Sequence, residues 1–155
     1  MTVYLVRHAV ALSRRSWRDD DELRPLTAKG QRQADGLADM LRRESIRRVM
    51  SSPAVRCVHT VAPLAKKLGL EVETTDVLQE GAPVEKAYDL LTRTAGKKGD
   101  CVLCAHGDLI PELVEAVMRD GAKTDPPRWA KGSTWKLEWD DHRFTSARYV
   151  PPQSG

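Results

Sequence analysis

Apolar and polar residues follow two alternating periods along this chain, and each change of period marks the end of one element and the start of the next. Thr2 to Val6 is a short β-branched and apolar run closed by charge, the pattern of a central strand. Thr27 can cap a helix in which Ala34, Leu37, Ala38 and Leu41 recur at i, i+3, i+4 and i+7 and make one apolar face. Arg48 to Ser51 reads as a second strand, and Ser51-Ser52-Pro53 supplies a turn, caps and a proline compatible with a helix start. Val55, Val58, Ala62, Ala65 and Leu68 then keep helical spacing until Gly69 stops them. Pro63 interrupts that run. It removes the bond to the carbonyl of His59 at a cost of about 3 kcal/mol, which predicts a bent helix or two unequal pieces broken near His59 and Thr60.

Glu71 to Thr74 is a third strand, Leu78 to Pro83 a loop, and Val84, Ala87, Tyr88 and Leu91 mark an amphipathic helix ended by Gly96 and Gly99. Cys101 to Ala105 is the fourth strand. Leu109, Ile110, Leu113, Val114 and Val117 form the inner face of the helix behind it, with Pro111 in the tolerated first turn. Trp135, Leu137 and Trp139 alternate with Lys136 and Glu138, the period of a strand with one buried face, and Arg143 to Val150 can pair with it across Asp140-Asp141. The order βαβαβαβα with a closing hairpin predicts a three-layer α/β/α sandwich around a mostly parallel sheet. Residues 1–150 are expected to form one domain and 151–155 a loose tail.

Composition narrows the function classes. With 155 residues, 41% of them apolar, there is enough for one domain that buries about 70% of its extended surface, and no room for a second. Charged residues make up 30%, both signs are interspersed, and the net charge of +3 does not point to nucleic acid while fitting an anionic substrate. The longest apolar runs fall far short of the roughly 20 residues that span a bilayer. No basic region followed by a hydrophobic stretch of signal length opens the chain. The expectation is a cytoplasmic protein without membrane or nucleic-acid partners. Cys101 and Cys104 are spaced C-x-x-C, but strand positions three apart point to opposite faces and cannot converge on a metal or each other. Cys57 reads as a small buried apolar residue, and neither metal nor organic cofactor is expected.

In such sheets ligands bind beyond the carboxyl ends of the strands. Arg7 and His8 follow the first strand, Arg56 opens the helix after the second, Glu80 follows the third, and His106 with Gly107 follows the fourth. A phosphoryl group in transfer carries charge on three equatorial oxygens, and fixed arginine forks and a histidine can meet it. A neutral imidazole in line with the phosphorus can form a covalent phosphohistidine. Glu80 can protonate the leaving group if burial and the phosphate charge raise its pKa. Arg24 either contacts substrate or pairs with the acidic run Asp19 to Glu22. Arg14, Arg15 and Arg18, in the loop after His8, either attract anions at the pocket rim or, as a charge run more often does, form a solvated loop, and His59 and His142 read as packing or surface residues. The Trp129, Trp135 and Trp139 cluster reads as sheet core rather than a base-stacking surface.

With these residues in place, the chain resembles the histidine phosphatase, or phosphoglycerate mutase-like, superfamily. Leu5-Val6-Arg7-His8-Ala9 resembles its N-terminal signature, Ser51-Ser52-Pro53-Ala54-Val55-Arg56 its S-S-P-x-x-R element, and Cys104-Ala105-His106-Gly107 its second histidine. The likeness runs from about Thr2 to Met118 and implies that His8 is the nucleophile, that Arg7, Arg56 and His106 form the phosphate pocket with Gly107 beside them, and that Glu80 is the proton donor. Arg7 to Ala11 and Leu23 to Gly30 resemble the small phosphohistidine phosphatases of the SixA type, which lack the helical insert that forms a lid in larger relatives. That implies a phosphorylated protein as substrate. The same features resemble the phosphatase domain fused to Nudix domains in nucleotide-pool enzymes, which implies a nucleotide or small metabolite. A phosphate-binding regulatory module without turnover is the alternative from another class, and a proton donor speaks against it, since binding alone needs none. The chain departs from the pattern at Ala9, where many members carry glycine, at Cys57 and His59, which replace the commoner alanine and glutamine, and at Pro63.

Overall fold

The computed structural model describes residues 1–154. Its strands are β1 Thr2–Arg7, β2 Ile46–Ser51, β3 Val72–Thr74, β4 Asp100–Ala105, β5 Lys123–Thr124, β6 Thr134–Trp139 and β7 Phe144–Val150, and its helices α1 Ala28–Leu41, α2 Val55–Leu68, α3 Val84–Ala95 and α4 Ile110–Arg119. All seven strands join one sheet in the order β3-β2-β4-β1-β6-β7-β5. β1 to β4 run parallel, and the hairpin partner β6 enters antiparallel against β1.

Alternation along the central strands sorts the core into two sides. Val3 and Leu5 of β1, with Cys101 and Leu103 of β4, pack against Leu91 of α3 and Leu113 of α4. Tyr4 and Val6, with Val102 and Cys104, pack instead with Leu37 of α1 and Leu64 of α2. Side chains two apart share a face and neighbours oppose. One sheet thus carries a helical layer on each side, the three-layer architecture that the order of elements predicts. The same alternation puts Cys101 and Cys104 in different cores, each as a free thiol. Trp135 is buried and Trp129 packs on it with ring centroids 5.3 Å apart, so this cluster is sheet core.

Local chemistry sets the helix ends. Thr27 Oγ1 accepts from the Gly30 N–H at 3.0 Å and caps α1. Gly30 lies against the Val10 carbonyl, where any Cβ would collide, so α1 can start directly under the loop that leaves β1. Gly69 ends α2 at φ 69°, a left-handed conformation that glycine adopts without strain.

Of the two outcomes expected at Pro63 the split is absent: α2 is one uninterrupted helix of 14 residues. His59, whose carbonyl loses its partner, lies on the exposed face, where water can replace the missing N–H. β2 begins two residues before the expected strand, and β5, a two-residue strand parallel to β7, was not anticipated. Residues 151–154 have no regular structure, yet Gln153 is pressed against α1 at Gly36, where a Cβ would come within 2.7 Å of the Gln153 backbone. Among the described residues no helix is long and apolar enough to cross a membrane.

Candidate active site

Because β3, β2, β4 and β1 lie side by side and parallel, their carboxyl ends deliver Glu80, Arg56, His106 and His8 to one edge of the sheet. The antiparallel β6 brings its own lead-in, Trp129 to Ser133, to the same edge. The result is a cleft of about 420 Å³ lined by all seven residues singled out from sequence, Arg7, His8, Arg24, Arg56, Glu80, His106 and Gly107, together with Arg14, Asp108 and Lys131 among others.

Main-chain bonds fix the loop after β1. The His8 N–H donates to the Ala105 carbonyl at 3.1 Å, and the Gly132 N–H donates to the His8 carbonyl at 3.0 Å. The Ala9 N–H donates to Thr60 Oγ1 at 2.9 Å, and the Thr60 hydroxyl donates to the Arg56 carbonyl at 2.6 Å. One threonine therefore ties the backbone beside His8 to the first turn of the helix that carries Arg56.

His8 is only 7% exposed. Its Nδ1 lies 2.8 Å from the Ala9 carbonyl, an acceptor only, so Nδ1 carries the hydrogen and Nε2 the free lone pair. Burial pushes its pKa down to about 3. The Ala9 bond pulls upward, but His106, Arg56 and Arg7 add positive charge in the depressing direction. The ring is neutral at physiological pH, the form in which a nitrogen is nucleophilic.

Three guanidinium groups converge here, each anchored to a main-chain carbonyl. Arg7 Nη1 donates to Trp129 O, Arg56 Nη1 to Asp21 O at 2.9 Å, and Arg24 Nη1 to Leu12 O at 2.6 Å. A Cβ at position 107 would lie 2.5 Å from Arg7 Nη2, so glycine there leaves the space that the Arg7 fork occupies. The Nε donors of both Arg7 and Arg56 are buried without an acceptor in the protein. Such orphaned donors cost about 1–3 kcal/mol each, and an oxyanion can satisfy them. His106 shares a 2.8 Å bond between Nε2 and Ser52 Oγ, its Nδ1 lies 3.5 Å from Arg56 Nη2, and its ring meets that of His8 edge to face at 5.5 Å.

Glu80 accepts from Arg56 Nη2 at 2.9 Å on Oε2 and from Arg14 Nη2 at 2.6 Å on Oε1. Partial burial draws its pKa up, but the Arg14 bond and charge, with His106 and Arg56, outweigh that and hold the carboxyl below its usual range. Both alternatives for Arg24 have support: it pairs with Asp21 at 3.0 Å and also lines the cleft. Arg14, which the sequence reads either as an anion-attracting rim residue or as part of a solvated loop, is paired with Glu80 and lies 3.7 Å from Asp21. Asp21 also reaches Arg56 Nη2 at 3.2 Å. Sequence reasoning missed Thr60 and the reach of Asp21 to Arg56; those partners lie 51 and 35 positions away in the chain, beyond the reach of a local pattern. His59 and His142 are exposed. Among the described residues no group of three His, Cys, Asp or Glu side chains is placed to hold a metal ion.

A fold that lines up four parallel strand ends under two histidines and converging arginines is matched by sequence. Residues 3–85 match the histidine phosphatase superfamily (branch 1), and the chain belongs to that family. Its architecture is the phosphoglycerate mutase-like one. An 8-oxo-(d)GTP phosphatase of Mycolicibacterium smegmatis is 34% identical over 97% of the chain, which spans only 48% of that relative's length. A putative SixA phosphohistidine phosphatase structure from Nakamurella multipartitia superposes with a TM-score of 0.77, at 23% identity over 97% of this chain and 95% of that one. A mycobacterial glucosyl-3-phosphoglycerate phosphatase superposes at 0.72, with 19% identity over 99% of both chains.

Proposed function

We propose that this domain hydrolyses a phosphomonoester or a protein phosphohistidine through a covalent phosphohistidine on His8. The observation that carries this reading is the neutral His8 ring, with Nδ1 tied to Ala9 O and Nε2 free, beside the Arg7 and Arg56 forks. In the first step Nε2 attacks phosphorus, the P–N bond forms and the bond to the leaving group breaks. The leaving atom takes its proton from protonated Glu80. Arg7, Arg56 and His106 face the equatorial oxygens, where the charge of the transition state resides. In the second step a water gives its proton to the Glu80 carboxylate and its oxygen to phosphorus. The P–N bond breaks, the electron pair returns to Nε2, and phosphate leaves. Apart from substrate and water, the groups of this cycle are side chains of the protein, and Gly107 serves them by making room for Arg7.

Two observations bear on whose phosphate is taken. Among the described residues no helical insert crosses the cleft, which suits a phosphate displayed on a protein surface. The similarity to an 8-oxo-(d)GTP phosphatase favours a nucleotide as a second reading. Comparing kcat/KM for a phosphohistidine protein, nucleoside phosphates and sugar phosphates separates them.

The chemical step is tested by mixing the protein with radiolabelled aryl phosphate and quenching in alkaline denaturant, which preserves phosphoramidates. Label is expected on the wild-type chain at His8 and absent from His8→Ala, whose turnover should fall on the order of 10⁴-fold or more. Turnover without trapped label in wild type, or undiminished turnover in His8→Ala, removes His8 as the nucleophile.

A further inference from the structure

Arg14 stands outside the set of groups that the proposed chemistry requires, yet it makes the shortest contact to the proton donor. Its Nη2 holds Glu80 Oε1 at 2.6 Å while Arg56 Nη2 holds Oε2 at 2.9 Å, so each oxygen of one carboxylate is gripped by a different guanidinium. The two grips differ in kind. Arg56 has a side chain only 2% exposed and an anchor on the Asp21 carbonyl, whereas the Arg14 side chain is 65% exposed and its remaining ion pair is the 3.7 Å approach to Asp21 Oδ1.

A carboxylate bound on both oxygens by arginines is stabilised as the anion, and an anion cannot protonate a leaving group. One grip has to open before Glu80 can act. The groups facing Glu80 are Arg14 from the loop after β1, Arg56 from α2 and His106 from the loop after β4, with Asp21 paired to both arginines and Asp108 accepting from the neighbouring Gly81 N–H. Of Arg14, Arg56 and His106, the basic groups that face Glu80, Arg14 alone is exposed, and exposed ion pairs are weak and easily exchanged. A phosphate dianion entering the cleft is a stronger partner for a guanidinium than one carboxylate oxygen.

We infer that Arg14 is a positioning residue that clamps Glu80 in the open cleft and passes to the phosphate when substrate binds, so that Glu80 becomes an acid only in the presence of substrate. The inference rests on the reading of Glu80 as proton donor. When the clamp opens, Oε1 takes a proton from solvent; transfer of that proton to the leaving group regenerates the carboxylate, which accepts one from the attacking water and returns it to solvent as phosphate leaves and Arg14 closes again. The proton count closes over one turnover.

The pH profile of kcat/KM reports the free enzyme, so its alkaline limb marks where unoccupied Glu80 loses its proton. Removing Arg14 takes away a charge that favours the anion. The limb should therefore move to higher pH, by roughly half to one unit, while KM rises roughly threefold to tenfold through loss of a phosphate partner. The test is to measure kcat/KM against pH with an alkyl phosphate for wild type, Arg14→Gln, Arg14→Lys, Glu80→Gln and Arg15→Gln. The limb is expected to shift in Arg14→Gln, to return most of the way in Arg14→Lys, to vanish in Glu80→Gln and to stay put in Arg15→Gln. A limb that vanishes in Glu80→Gln but is unmoved in Arg14→Gln overturns the role of Arg14 alone. A limb that persists in Glu80→Gln removes Glu80 as the acid, and the inference with it.

Discussion

His8, Arg56 and His106 at the floor of the cleft are 7%, 2% and 3% exposed, whereas the side chains of Glu80, Asp21 and Arg14 at its rim are 41%, 46% and 65% exposed. The floor is held by buried backbone bonds and by Thr60, in surroundings where charges act over short distances with little screening. The rim is a set of solvent-facing ion pairs that can exchange partners. The difference separates two tasks. Stabilising charge on phosphorus needs groups that do not move, and moving a proton needs a group whose partners can change.

The largest effect that checks this division is at Arg56. Arg56→Ala should lower kcat/KM by roughly 10²–10³-fold on every substrate, and Arg56→Lys should recover little because a single ammonium cannot replace the fork. If steady-state kinetics showed a loss confined to poor leaving groups, Arg56 would behave as a rim residue and the division would fail. Next comes Glu80→Gln, which should cost about 10²-fold with alkyl phosphates but under about tenfold with activated aryl phosphates, whose leaving groups need no acid. Equal losses on both would take Glu80 out of the acid role.

A third, smaller effect reads the floor through stability. The pKa of His8 is pushed down to about 3 in the folded chain, while an unfolded imidazole titrates near ~6.5. Between those values the unfolded state binds a proton that the folded state refuses, so stability falls as pH drops through that window. From pH 7 to 4.5 the difference is about 2–3 kcal/mol. Urea unfolding at both pH values should show His8→Asn losing that much less than wild type. Parallel losses would mean that His8 is not held neutral by its surroundings.

The same division explains what could be read in the sequence. Strand ends are marked by local pattern, so Arg7, His8, Arg56 and His106, which stand directly beside β1, α2 and β4, were legible with the fold itself. Their roles became specific only through the family resemblance. The alternation of Val3 and Leu5 against Tyr4 and Val6 likewise announced a strand covered on both faces. The pairing of Arg14 with Glu80 and of Asp21 with Arg56 was not legible, because a charged loop reads as solvated unless its distant partners are known. That Pro63 does not split α2 was not legible, because the exposure of His59, whose carbonyl can turn to water, is a property of the folded chain. The two-residue β5 has no periodicity to detect.

The three main-chain carbonyls that anchor Arg7, Arg24 and Arg56 carry a consequence for mutational drift. Trp129, Leu12 and Asp21 offer those bonds through peptide oxygens, which any residue at the same position also possesses. The Leu12 side chain is therefore open to replacement without unfastening Arg24, provided that the backbone path is kept, whereas Asp21 also holds Arg24 and Arg56 through its carboxylate and Trp129 packs on Trp135. A lineage can vary the walls that meet the rest of the substrate while the grip on its phosphate stays constant, which is how one chemistry becomes many specificities.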